Sequence, residues 1–161
     1  MVGRRVATAG GVLGLAVGVP VAVLLLGLRR KYPPVVDAAR RFARDVGNPR
    51  MLRSAGGSGA NASILRHVGR TSGKPYETPV TAVPTPDGFV IALPYGATTD
   101  WLKNLLAAGS ATLVHDGQTQ VVDRPEVVPV AQAAQDFSAG ERRVLRVLGV
   151  GECVRLHRCE P

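Results

Sequence analysis

The chain has 161 residues, 45% of them hydrophobic, 20% charged and 4% aromatic, with 19 glycines, 12 prolines and 2 cysteines. That is the length and composition of one globular domain, which excludes a disordered, collagen-like or disulfide-stapled chain. The formal net charge is +8, carried wholly by residues 1–53, while residues 54–161 are balanced; the excess describes an N-terminal arm, not a groove for nucleic acid.

Val6 to Leu28 is a run of 23 residues without a charge. A helix of that length reaches about 35 Å, enough for a hydrocarbon core of about 30 Å. Arg4 and Arg5 precede it; Arg29, Arg30 and Lys31 follow it. A signal peptide wants small residues for cleavage just after the apolar run, and a basic stop-transfer flank stands there instead. The expectation is a single-pass membrane anchor over 1–31, with the rest of the chain on the cytoplasmic side because the basic residues gather there. Gly10, Gly14 and Gly18 share one helix stripe, as small residues commonly do in such segments.

Pro33 and Pro34 end the anchor. Val35 to Val46 has helical periodicity, with Arg40, Arg41, Arg44 and Asp45 opposite an apolar stripe. Such a helix either lies on anionic membrane lipid or caps the domain's core. Residues 47–62 are Gly-, Ser- and Asn-rich and read as linker, so 32–62 form a juxtamembrane helix and linker ahead of a domain over 63–161. In that domain Ser63 to Val68 reads as a strand. Glu77 to Val83 and Phe89 to Leu93 form a hairpin across Thr85-Pro86-Asp87-Gly88. Asp100 to Ala108 is a helix, with Thr98, Thr99 or Asp100 as N-cap and Gly109 just past its end. Ala111 to His115 and Gln118 to Val122 pair across Asp116-Gly117. Val130 to Phe137 and Glu141 to Leu148 read as helices, and Cys153 to Arg158 as a closing strand. Hairpins with a few helices give an α+β domain or small barrel; strand and helix do not alternate regularly enough for a doubly wound sheet.

Three stretches bear on chemistry. Gly69-Arg70-Thr71-Ser72-Gly73-Lys74 joins two strands. Its glycines, hydroxyls and cations suit an anion-binding nest, and they suit an exposed basic turn equally simply. It is not a phosphate-binding Walker loop: the spacing is one residue short and no helix follows. Pro94 to Trp101 is a loop running into a helix N-terminus, which favours anions. Trp101, the only tryptophan, is a core anchor that shares a helix face with Asn104, while Leu102, Leu105 and Leu106 face inward. The histidines lack metal spacing, so no metal site is expected; the cysteines read as free thiols, and no nucleophile elbow is present.

Together these strings resemble the deazaflavin-dependent nitroreductase family, also described as quinone reductases using reduced coenzyme F-420. The family's Gly-Arg-x-Ser/Thr-Gly turn, Pro, and second Pro before an apolar residue match Gly69-Arg70-Thr71-Ser72-Gly73-Lys74-Pro75-Tyr76-Glu77-Thr78-Pro79-Val80. Its apolar strand, glycine loop and Trp-x-x-Asn-Leu helix match Phe89 to Gly96 and Trp101-Leu102-Lys103-Asn104-Leu105. The resemblance covers residues 63–130.

The resemblance implies a split β-barrel of the flavin-binding type and a set of coenzyme-binding positions. Arg70, Thr71, Ser72 and Lys74 would meet the coenzyme's phosphate or acidic tail. Tyr76, Glu77, Thr78, Pro79, Val80 and Thr81 would lie along its ring system. Ala92, Leu93, Pro94, Tyr95 and Gly96, with Asp100, Trp101, Leu102, Lys103 and Asn104, would complete the site. The chain departs from the family where Thr71, Tyr76 and Tyr95 replace basic residues, and it has no Tyr or Trp after Trp101. The implied activity is that of an oxidoreductase passing hydride from the reduced deazaflavin to a membrane quinone or nitroaromatic, without a dedicated acid–base residue. Two alternatives stand beside it: a flavin- or deazaflavin-binding module without turnover, and an enzyme using FMN.

Overall fold

The computed structural model describes residues 21–159. Residues 21–29 are helical and the chain then turns at Lys31, whose φ is 52°. Helix α1, Pro33–Phe42, starts on its two prolines, residues with φ preset for a first helical turn and no N–H to orphan there. It runs through a π-helical turn, Ala43–Gly47, into the short helix α2, Asn48–Met51. The helix expected over Val35 to Val46 is thus longer, and it takes up the start of the expected linker.

Seven antiparallel strands follow: β1 Ser63–Val68, β2 Pro75–Val80, β3 Ala82–Pro84, β4 Gly88–Ala92, β5 Ser110–His115, β6 Gln118–Pro129 and β7 Glu152–Arg158. They form one sheet in the order β2-β1-β5-β6-β7-β4-β3, curled into a half-barrel. Helix α3, Asp100–Ala108, packs against β1, β5 and β6. Helix α4, Ala139–Val147, is held by a capping box between Ser138 and Glu141, satisfying two N–H groups that the helix start leaves without partners.

Sequence patterns explain most of these boundaries. Asp116 and Gly117 both have positive φ, 50° and 76°, as a two-residue hairpin turn requires, and they join β5 to β6. The single strand expected over Glu77 to Val83 divides at Thr81. Its first part pairs with β1 and its second with β4. Both prolines of β2, Pro75 and Pro79, are tolerated because β2 is an edge strand, where a missing N–H breaks no ladder. Strand β6 runs seven residues beyond the expected Val122. Pro125 lies inside it, at the irregularity between Asp123 and Glu126 where the pairing with β7 shifts register; a bulge is the place a strand can hold a proline. The helix expected over Val130 to Phe137 shrinks to a 3₁₀ turn, Val130–Ala133.

The core lies inside the curl. Leu65, Phe89, Leu102, Leu105, Leu113, Val122, Val154 and Leu156 are fully buried there. Burying each such side chain contributes about 1.5–3 kcal/mol. A second cluster, around Phe137, Leu145, Val150 and Cys153, fills the space under α4. Burial pushes the Cys153 thiol up to about 11, which leaves it an unreactive packing group.

The expected single-pass membrane location is corrected. Among the described residues, no helix is long and apolar enough to cross a membrane. The residues read as a stop-transfer flank lie against the domain: Lys31 Nζ donates to the Pro94 carbonyl at 2.9 Å, and Arg29 passes so close to Gly149 that a Cβ there would meet its carbonyl at 2.9 Å. Burial lowers the pKa of Lys31 accordingly. Residues 6–20 of the apolar run lie outside the described residues.

Candidate functional site

A cleft of about 800 Å³ opens between the β1–β2 turn, β2, the start of α3 and the helical segment α1–α2. The Gly69–Lys74 segment is a tight turn: Gly69 N donates to the Lys74 carbonyl and Gly73 N to the Gly69 carbonyl. Glycine is needed at 69 for space, since a Cβ would come within 2.5 Å of Ser72 Oγ and 2.8 Å of the Tyr76 ring. Ser72 Oγ in turn lies 3.3 Å from Tyr76 Oη. The turn is exposed and is braced on β2 through Tyr76.

Asn104 ties this turn to α3. It is only 6% exposed. Its Oδ1 accepts from the backbone N–H of Arg70 at 3.1 Å and from Arg70 Nη1 at 2.9 Å. Arg70 Nη2 also pairs with Asp100 at 3.1 Å. On the other side Asn104 Nδ2 lies 3.3 Å from Nδ1 of His67, and His67 Nε2 lies 3.1 Å from Thr78 Oγ1. His67 is buried, stacked on the Tyr76 ring at 5.8 Å, and its burial holds its pKa below the ordinary value. An unpaired buried imidazolium loses its water without gaining a counter-charge, so the neutral ring is favoured.

The opposite wall comes from α1 and its continuation. Arg40 Nη2 donates to the Tyr95 carbonyl and to Thr98 Oγ1 at 2.6 Å, fastening α1 to the loop before α3. Asp37 lies 3.8 Å from Arg40 Nη1. Arg44 pairs with Asp45 at 2.7 Å; Arg41 makes no ion pair among the described residues. Two buried polar atoms of this region have no protein partner, Arg40 Nε and Thr99 Oγ1. Both residues line the cleft. Buried donors without partners are rare in folded proteins and point to a group that completes them.

Of the residues expected to bind coenzyme, Arg70, Thr71, Ser72, Tyr76, Glu77, Thr78, Pro79, Tyr95, Asp100, Trp101 and Asn104 line this cleft. Lys74, Val80, Thr81, Ala92, Leu93, Pro94, Gly96, Leu102 and Lys103 do not. Val80, Leu93 and Leu102 belong to the core instead. Leu106, expected to face inward, is exposed. Trp101 does both jobs open to it, packing against the core and lining the cleft.

Sequence reasoning missed the far wall: Asp37, Arg40, Arg41, Ala43, Arg44, Asn48, Pro49 and Leu52. The available signal was the basic stripe of Arg40, Arg41 and Arg44. That stripe, expected to face lipid or cap the core, lies along the cleft.

No family model matches the chain, and no curated protein matches it. Solved structures of similar chain path include HutZ, a heme storage protein from Vibrio cholerae, at 15% identity over 63% of this chain and 83% of that one, with a TM-score of 0.45. An F420-H2 dependent reductase (FDR-A) is similar at 11% identity over 60% of this chain and 94% of that one, with a TM-score of 0.42. A protein of the pyridoxinephosphate oxidase family from Clostridium acetobutylicum, related to general stress protein 26, is similar at 12% identity over 73% and 82%, with a TM-score of 0.44.

Proposed function

We propose that this protein is an oxidoreductase that uses the reduced deazaflavin coenzyme F-420 to reduce a small electrophilic acceptor, a quinone or a nitroaromatic compound. The observation that carries the reading is the meeting of two separate motif segments in one cleft. The Gly69–Lys74 turn with Tyr76 to Pro79, and Trp101 with Asn104, are distant in sequence and share the same walls. Those segments are the ones that resemble the deazaflavin-dependent nitroreductase family.

The lining suits such a coenzyme chemically. Tyr76, Pro79 and Trp101 offer flat or apolar surface to a ring system. Arg40, Arg41 and Arg44 offer charge to phosphate or carboxylate groups, in place of the basic residues that Thr71, Tyr76 and Tyr95 do not supply. Arg40 and Thr99, whose Nε and Oγ1 are buried without a protein partner, belong to the same lining. When bound, the reduced coenzyme supplies hydride. The residues that would hold it are Tyr76, Pro79 and Trp101 on one wall and the arginines of α1 and its continuation on the other, which would bind and orient it.

Fluorescence titration of the full chain with coenzyme F-420 and with FMN in parallel tests this reading. Trp101 is the only tryptophan, so its emission reports the cleft directly. The expected result is saturable quenching by the deazaflavin at lower concentration than by FMN, and oxidation of the reduced coenzyme when a quinone is added. Silence of Trp101 toward both ligands overturns the proposal. Binding without oxidation supports the second reading, a non-catalytic binding module, which the lack of any Tyr or Trp after Trp101 favours.

A further inference from the structure

The buried hydrogen bonds behind the cleft have a fixed direction. Both groups that Arg70 presents to Asn104 are N–H donors, at 3.1 and 2.9 Å. Neither can accept, so the atom facing them is the amide oxygen of Asn104. The amide nitrogen is then the atom 3.3 Å from His67 Nδ1. It can only donate, so Nδ1 must be the unprotonated nitrogen of a neutral ring. The proton of that ring sits on Nε2 and is donated to Thr78 Oγ1, 3.1 Å away. Thr78 thus has one lone pair engaged from behind, and its own hydroxyl proton remains to be placed. Thr78 lines the cleft and is partly exposed to it.

We propose that Thr78 is a specificity-determining donor to the cleft's ligand, set in that role by the one-way chain from Arg70 through Asn104 and His67. A carbonyl or an anionic oxygen presented at this point takes that proton, whereas a ligand N–H or O–H finds only the one lone pair left beside the His67 bond. Were the ring protonated on Nδ1 instead, Nε2 would accept the Thr78 proton and leave the cleft only lone pairs; the chain excludes that arrangement. His67 and Asn104 act through Thr78 and are positioning residues. The arrangement also explains why a histidine is buried here without a carboxylate. The neutral ring is the only form that can accept from Asn104 and donate to Thr78 at once, and the depressed basicity of His67 keeps it in that form. The identity of the ligand rests on the deazaflavin reading; the polarity of Thr78 does not.

The test has two arms on the full-length chain. In the first, the imidazole nitrogens of the nitrogen-15-labelled protein are assigned by NMR near pH 7.5 without ligand. The expected result is His67 as the neutral ring protonated on Nε2, and Asn104→Leu should release that preference. A ring protonated on Nδ1, or on both nitrogens, overturns the proposal. In the second arm, coenzyme F-420 and FMN are titrated against the wild type, Thr78→Val and Thr78→Ser. Valine keeps the shape and removes the donor, so affinity for the bound coenzyme should fall about tenfold, the scale of one lost hydrogen bond at a ligand. Serine restores the hydroxyl and should return it to near the wild-type value. Equal affinity of the valine variant overturns the proposal. A wild type that binds neither coenzyme overturns the function proposed above, and the polarity of Thr78 is then decided by the first arm alone.

Discussion

The two walls of the cleft are built on opposite plans. On the β2 side, the turn at 69–74, strand β1 and helix α3 are joined by buried hydrogen bonds through Asn104 and His67. On the α1 side, a helix with one buried apolar residue, Val36, is fastened to the loop before α3 by Arg40 and Lys31. The first wall is part of what folds the domain. The second is an attachment whose polar surface faces the cleft. Substitutions at the first should therefore act on stability and site together, whereas those at the second should act mainly on the site.

The sharpest way to break this contrast is Asn104→Ala. It strips partners from the Arg70 backbone N–H, the Arg70 guanidinium and His67 Nδ1 at once. The Arg70 N–H and His67 Nδ1 so orphaned cost about 1–3 kcal/mol each, while the exposed guanidinium keeps Asp100 and water, so the loss should be about 2–4 kcal/mol in urea denaturation. A loss no larger than that of an α1 variant would erase the distinction between the walls. Arg40→Ala comes next. It removes the bonds to the Tyr95 carbonyl and Thr98 Oγ1, and should cost about 1–2 kcal/mol. Hydrogen exchange should quicken across residues 33–42 and stay unchanged in β1 and β2; quickening in both would show that the walls are one unit.

A graded effect should come from His67. Its pKa in the fold lies below its ordinary value of 6.5, so the unfolded chain takes up a proton first as pH falls. The unfolded state binds more protons in that window, so stability rises with pH there and is lost on acidification below about 6.5. His67→Gln should flatten this slope in melting curves recorded from pH 7.5 to 5; an unaltered slope would assign the acid sensitivity to another group. The smallest change in stability should follow Arg41→Ala, within about 0.5 kcal/mol, as for most surface substitutions. Coenzyme affinity should nevertheless fall a few-fold at low salt and converge with wild type at high salt, because exposed charges are screened. Loss of affinity that persists at 1 M salt would argue for a packing role.

The first wall was legible in sequence and the second was not, for a physical reason. The turn at 69–74, the strand Ser63–Val68, the helix Asp100–Ala108 and the Asp116-Gly117 hairpin are local decisions, made by glycines, caps and alternation within a few residues. Asn104 and Trp101 share a helix face that spacing alone reveals. What covers the cleft depends instead on where α1 docks, and nothing in the spacing of Arg40, Arg41 and Arg44 distinguishes a surface facing lipid from one facing a cavity. The same limit explains why β6 runs past its expected end at Val122. Pro125 argues against strand by propensity, and only the pairing of β6 with β7 places it at a bulge.

The place of β7 in the sheet sets a condition on how the chain is made. This strand lies between β4 and β6, and its Cys153, Val154 and Leu156 are buried on both sides of the sheet. On the ribosome, β4 emerges long before its neighbour at 152–158 exists. Until then the β3–β4 hairpin has one open edge and β6 another, both apolar on their inner faces. Such edges invite pairing with other chains, and non-local strand pairing of this kind is slow to form. The nascent domain therefore carries two unpaired strand edges until β7 is released. A premature stop before Glu152 should yield not a weakened protein but an aggregating fragment.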